Sequence, residues 1–211
     1  MAAGPGKILK DHGRFVFACF CTAYKIDREV FESWMRILKR VPDSELWLMP
    51  ESSRVKQNLC KAAQSLGVDH RRLVFLEKLE KKEHFKRLTL VDLALDTRTV
   101  TGAATTSDAL WAGVPVLTFK GRHFASRMSE SLLKAVGLQR MVASNITEYE
   151  EAAVNLAQNH LALKAIKEDL WERRFRSPLF NTKGFMESLE IAYETMWNQF
   201  VSNGPLEMIR L

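Results

Sequence analysis

Apolar residues along this chain fall into two alternating kinds of stretch. Short unbroken runs occur at FVFACF (15–20), ELWLM (45–49), RLVFL (72–76), VDLAL (91–95) and PVLTF (115–119). Their length and their β-branched and aromatic content are those of buried strands. Amphipathic stretches lie between them. In DREVFESWMRILKRV, residues Val30, Phe31, Trp34, Ile37, Leu38 and Val41 recur at helical spacing behind Asp27, a helix-opening residue. SSRVKQNLCKAAQSLG reads as a second helix closed by Gly67, KKEHFKRLTL as a short third, and the segment after Gly102 as a fourth. Five strands alternating with helices predict an α/β fold, a Rossmann-like doubly wound parallel sheet. Beyond Arg122 strands nearly vanish. ASRMSESLLKAVG, ITEYEEAAVNLAQNH, LALKAIKEDLWERRFR and, after the loop SPLFNTK, GFMESLEIAYETMWNQFV predict a helical C-terminal segment. Residues 1–13 and 202–211 lack such patterning and read as loose tails on one folded unit, 14–201.

Composition agrees with a packed core. The 211 residues are 46% hydrophobic and 27% charged, the balance of a globular chain. No apolar run approaches the roughly 18 residues that span a bilayer, and the first residues hold no signal-peptide core. Cys19, Cys21 and Cys60 are too few for a disulfide framework, and their spacing is not that of zinc ligands. Free thiols point to a reducing setting, cytoplasmic or nuclear. Net charge is +6, and residues 71–87 alone combine seven Lys/Arg with three Glu. Such a run suits an anionic partner or a solvated helix face. No RNA- or DNA-binding pattern accompanies it, so nucleic acid is not expected.

In a doubly wound sheet, ligands bind beyond the carboxyl ends of the strands. Three segments fall there. CTAYK places Lys25 just past the first strand, and LEKLEKKEH places Lys81 and His84 at the start of a helix. The third is TGAATTSD. Gly102 permits close backbone approach, and Thr105, Thr106 and Ser107 set hydroxyls beside helix-terminal amides, an arrangement suited to phosphate. Asp108 would repel a phosphate and is better placed to accept from ribose hydroxyls. Each residue also has an ordinary reading: Thr105 as an N-cap, Lys25 and His84 as surface groups, Asp108 as a complement to the helix dipole.

The blocks YKIDREVFESWMRILKRVPDSELWLM, KKEHFKRLTLVDLALDT, GAATTSDALWAGVPVLTF, FASRMSESLLKAVGL, EYEEAAVNLA and SPLFNTKGFMESLEIAYETMW follow one another in a recognisable order. Together they resemble the C-terminal catalytic lobe of the O-linked N-acetylglucosamine transferase family, Spindly-type protein O-glycosyltransferases included, over about Phe15 to Phe200. The resemblance implies a GT-B glycosyltransferase lobe holding the donor UDP-N-acetylglucosamine. It further implies that the sugar passes to Ser or Thr of protein acceptors, with inversion and with neither metal nor cofactor. It implies that Lys25 is catalytic, compensating the departing diphosphate. By the same resemblance, donor binding is expected of Thr22, Leu79, Lys81, His84, Arg87, Gly102, Ala103, Ala104, Thr105 and Asp108. There are departures. Ala103 and Ala104 replace a histidine and a threonine of the family's NGHTT loop, Phe20-Cys21-Thr22 replaces its FN-Q lead-in, and Glu80 replaces the proline before Lys81. The family's N-terminal lobe and tetratricopeptide repeats are expected as partners outside this chain, which shows no repeat of roughly 34 residues. Two alternatives stand beside this: the same lobe using GDP-fucose, and a non-catalytic nucleotide-sugar-binding or interaction module.

Overall fold

The computed structural model describes residues 13–202 and 207–209; the rest of the two expected tails lies outside the described residues. The strands are β1 (Phe15–Cys19), β2 (Ser44–Leu48), β3 (Leu73–Phe75), β4 (Leu93–Leu95), β5 (Val116–Phe119) and β6 (Val142–Ala143). All pair in parallel, in the order β3-β2-β1-β4-β5-β6. The helices are α1 (Arg28–Arg40), α2 (Ser53–Ser65), α3 (Lys81–Leu88), α4 (Ala104–Trp111), α5 (Phe124–Ala135), α6 (Ile146–Gln158), α7 (His160–Arg173) and α8 (Thr182–Val201).

The sequence predicts five strands, and the structure adds β6. Its two residues pair with Thr118 and Phe119 and are too few to show a period. The runs RLVFL and VDLAL shrink to three-residue strands, although Val91 stays buried ahead of β4.

The order of strands reverses between β1 and β4. From β1 the chain moves outward to β2 and β3, then returns to pair β4 with β1 (Phe17 with Leu93, Ala18 with Ala94) before moving the other way. Loops leaving the carboxyl ends of β1 and β4 therefore diverge to opposite faces and leave a crevice, where such folds bind ligands.

Each face of the sheet is covered. α1 buries Val30, Phe31, Trp34, Ile37 and Leu38, as its spacing predicts, and packs on α6. Trp34 Nε1 donates to the Tyr149 hydroxyl at 3.1 Å, and the Tyr149 ring stacks on Phe119 of β5 with centroids 4.1 Å apart. Bidentate Arg40–Glu151 pairing, with both bonds at 2.7 Å, fastens the rim of that contact. Val116, an odd number of residues from Phe119, faces the other way, toward Leu88 of α3 and Ala109 of α4.

Candidate functional site

Asp96 follows β4 directly and is buried at the crevice. Its carboxylate accepts from the Thr97 amide at 2.9 Å, the Gly102 amide at 2.8 Å and the Thr118 hydroxyl at 2.6 Å. Burial pushes its pKa up, opposed by these bonds and one from Ser129. The loop from Asp96 to Gly102 is thus wrapped around a carboxylate. Its far end is tied to α5, since the Thr101 amide and hydroxyl both reach Ala125 O at 3.0 Å and Ser129 Oγ reaches Gly102 O at 2.9 Å. A Cβ on Gly102 would collide with Thr106 Oγ1 and lie 2.7 Å from Thr105 Oγ1, so glycine is required for the helix to begin here. Asp96 is absent from the residues predicted by sequence. The available signal is a carboxylate ending an apolar strand.

The N-cap of α4 is Ala103, not Thr105, which lies inside the helix. An alanine cannot cap, and no side chain serves the first turn; the Ser107 amide reaches Ala103 O at 2.9 Å. The positive end of the helix dipole therefore faces the crevice with its amides uncapped. Ala104 is exposed there, and Thr105 Oγ1 lies 3.5 Å from Cys21 Sγ.

Lys25 closes a 3-10 turn, Ala23–Lys25, just past β1. Its Nζ donates to Thr101 O at 3.1 Å, which ties the β1 and β4 loops across the switch point. An ammonium has three donors, so two remain for an anion between them. Thr22 opens the turn, exposed, with its carbonyl accepting from the Lys25 amide at 3.0 Å.

Lys81 and Asp108, from α3 and α4, meet directly. Lys81 Nζ lies 2.6 Å from each Asp108 oxygen, with the lysine largely exposed. His84, one turn into α3, has Nδ1 at 2.7 Å from Arg87 Nη2. Arginine is always protonated and can only donate. Nδ1 therefore accepts, and neutral His84 keeps its proton on Nε2. Burial first, and Arg87 next, push the His84 pKa down. Arg87 itself is turned inward: Nη1 donates to Glu77 O at 2.7 Å and the guanidinium lies 4.9 Å over the Phe20 ring. It supports His84 from beneath. Leu79 is exposed ahead of α3.

The basic run 71–87 is largely held by internal partners. Arg71 pairs with Asp69, Lys86 with Glu83 and Lys81 with Asp108, while Arg72 donates to the Ser44 and Val41 carbonyls and Arg87 to that of Glu77. Among the described residues no three His, Cys, Asp or Glu side chains gather as metal ligands. None of the described helices is long and apolar enough to cross a membrane.

The sequence profile of glycosyl transferase family 41 matches residues 9–189. The chain belongs to that family. It is 41% identical over 188 residues to the probable UDP-N-acetylglucosamine–peptide N-acetylglucosaminyltransferase SEC of Arabidopsis thaliana, covering 88% of this chain and 19% of that protein. It is 34% identical over 194 residues to the UDP-N-acetylglucosamine–peptide N-acetylglucosaminyltransferase of Caenorhabditis elegans, covering 92% and 17%. A mutant O-GlcNAc transferase from Thermobaculum terrenum superposes with a TM-score of 0.84 at 32% identity, over 92% of this chain and 38% of that one. The fold of this chain is therefore a Rossmann-like lobe of the GT-B glycosyltransferase type, and the chain spans about a fifth of the length of these curated relatives.

Proposed function

We propose that residues 14–201 form the donor-binding half of a protein O-glycosyltransferase, transferring N-acetylglucosamine from UDP-N-acetylglucosamine to Ser or Thr hydroxyls of proteins. The observation that carries the reading is the convergence at the β1/β4 switch point. There Lys25 is bonded to Thr101 beside the uncapped start of α4, and Lys81–Asp108 and His84 are grouped on the adjoining turns. Family membership and the names of the relatives support it.

Cleaving the sugar–phosphate bond gathers negative charge on the diphosphate. Lys25 and the first-turn amides of α4 meet that charge as it develops, which is where preorganised donors lower a barrier. Lys81 and Asp108 take the ribose, and His84, with its proton held on Nε2, donates to the base. Lys25 and the amides act in place of a metal, and the acceptor attacks the anomeric carbon from the opposite face, with inversion. The rest of the cleft and the acceptor groove come from an N-terminal lobe, with tetratricopeptide repeats selecting the acceptors. A cytoplasmic or nuclear setting accords with the free thiols Cys19, Cys21 and Cys60.

Ala103 favours one second reading, a non-catalytic nucleotide-sugar-binding module, because the N-cap of α4 brings no polar side chain to the donor. Calorimetric titration with UDP, and with GDP in parallel, tests both. UDP is expected to bind and Lys25→Ala to weaken UDP by about tenfold to a hundredfold, the worth of one charge-assisted bond, while leaving uridine affinity unchanged. No heat with either nucleotide at millimolar concentration would sink the donor-lobe reading. Tighter binding of GDP would move the donor to GDP-fucose. Normal UDP affinity with no sugar transfer, even with an N-terminal lobe supplied, would favour the second reading.

A further inference from the structure

The two ends of α4 are held by different means. At its start no side chain caps the first turn, and the free amides face the crevice. At its close Gly113 takes a φ of +81°, its amide reaches Leu110 O at 3.1 Å and the Val114 amide reaches Ala109 O at 2.9 Å. One further carbonyl of that last turn, Trp111 O, accepts from Arg174 Nη1.

Arg174, directly after α7, is a buried cation without a counter-ion. It is 2% exposed, its Nε has no hydrogen-bond partner, and among the described residues no Asp or Glu pairs with it. Aromatic faces stand in for the carboxylate. The guanidinium lies 3.2 Å from the centroid of the Trp171 ring, 4.5 Å from that of Phe175 and 5.2 Å from that of Trp111. A Cβ on Gly113 would come within 3.1 Å of Trp171 Cε3, so the same ring also sits against the turn that closes α4.

Packing alone does not call for a charge here. An apolar side chain would fill the space without the cost of burying a cation. The guanidinium adds a positive charge and a rigid donor at the negative end of the helix dipole. With eight residues, α4 rises only about 12 Å and is too short to hold together by itself. Its axis is set from its ends, by the Asp96–Gly102 loop at one and Arg174 at the other.

We propose that Arg174 is a positioning residue for the donor diphosphate. It touches no reacting atom. By fixing the carboxyl end of α4 it sets where the first-turn amides stand in the crevice. The effect on the diphosphate rests on the donor-site reading; the anchoring of α4 does not.

The experiment pairs UDP calorimetry with amide hydrogen exchange on the full chain. Arg174→Met removes charge and donor but keeps bulk, and should weaken UDP about threefold to tenfold, the worth of one neutral hydrogen bond. Arg174→Lys keeps a charged donor without the flat stack on Trp171 and should lose less. Leu170→Ala, one turn earlier on α7 and buried, controls for lost packing. It should melt lower yet bind UDP as the parent does. In the free proteins, amides of residues 107–114 should exchange faster in Arg174→Met than in the parent, with those of α1 unchanged. If Arg174→Met does not fold, Arg174→Lys carries both comparisons. Parental UDP affinity in the Arg174 variants overturns the positioning role, and so does an equal loss in Leu170→Ala. Unchanged exchange in α4 overturns the anchoring. A parent chain that binds no UDP sinks the donor-site reading instead, and the exchange comparison then decides the anchoring by itself.

Discussion

His84 carries a pH dependence set by its neighbours. Burial first, and then Arg87 2.7 Å from Nδ1, lower its proton affinity in the native state. As pH falls, the unfolded chain takes up this proton first. The stability is therefore fully present above the unfolded value of about 6.5 and is lost as pH falls from there through the lowered native value. Urea midpoints measured from about pH 8 down to about pH 5 should fall in that window, and His84→Gln should flatten the fall; an equal slope in both proteins would remove His84 as its source. Lys25, Lys81 and Asp108 are legible in the sequence because each stands at a strand end or helix start, where the fold class itself locates ligands. Arg87 is legible only in part. Helical spacing puts it beside His84, while its inward turn depends on Glu77 and Phe20, which periodicity cannot place. Asp96 is hidden for a similar reason, since its partners Gly102 and Thr118 are distant in sequence.

The segment from Asp96 into α4 behaves as one unit, because Gly102 meets Asp96, Thr106 and Ser129 at once. Thr106 Oγ1, the atom a new Cβ would strike, is itself held 2.7 Å from Ser129 Oγ and has little freedom to move aside. Gly102→Ala should therefore cost about 1–3 kcal/mol, the usual penalty for overpacking, and weaken UDP by displacing the start of α4. Denaturant melts and UDP calorimetry check the two effects; an unaltered affinity would separate the loop from the proposed site. Most elements here are readable from apolar runs, since strands buried on both faces need unbroken hydrophobic stretches. Two features are not. β6 has too few residues to show a period, and the start of α4 falls at Ala103 although Thr105 carries the stronger capping signal. The hydrogen bonds of Asp96 and the packing at Gly102 override the local capping preference.

Stability and site meet across the sheet at Asp96. Its carboxylate organises the loop leading into α4, while its carbonyl accepts from the Tyr149 hydroxyl of α6 at 3.0 Å. That same hydroxyl accepts from Trp34 of α1. One buried oxygen therefore joins α1, α6 and the switch point. α8 contrasts with this. None of its residues is buried, and Trp197 and Phe200 are 64% and 70% exposed. Tyr149→Phe keeps the ring stacked on Phe119 but orphans the Trp34 Nε1 donor and the Asp96 carbonyl, at roughly 1–3 kcal/mol for each. At about 2–4 °C per kcal/mol for a chain of this size, the melting temperature should drop visibly. Trp197→Ser should stay within about 0.5 kcal/mol of the parent, as substitutions outside the core do. Thermal melts of the two variants side by side check this, and a larger loss from Trp197→Ser would show that α8 contributes to the folded core. The Tyr149 variant should also bind UDP more weakly, because the loop it steadies from one face presents Thr101 and α4 on the other.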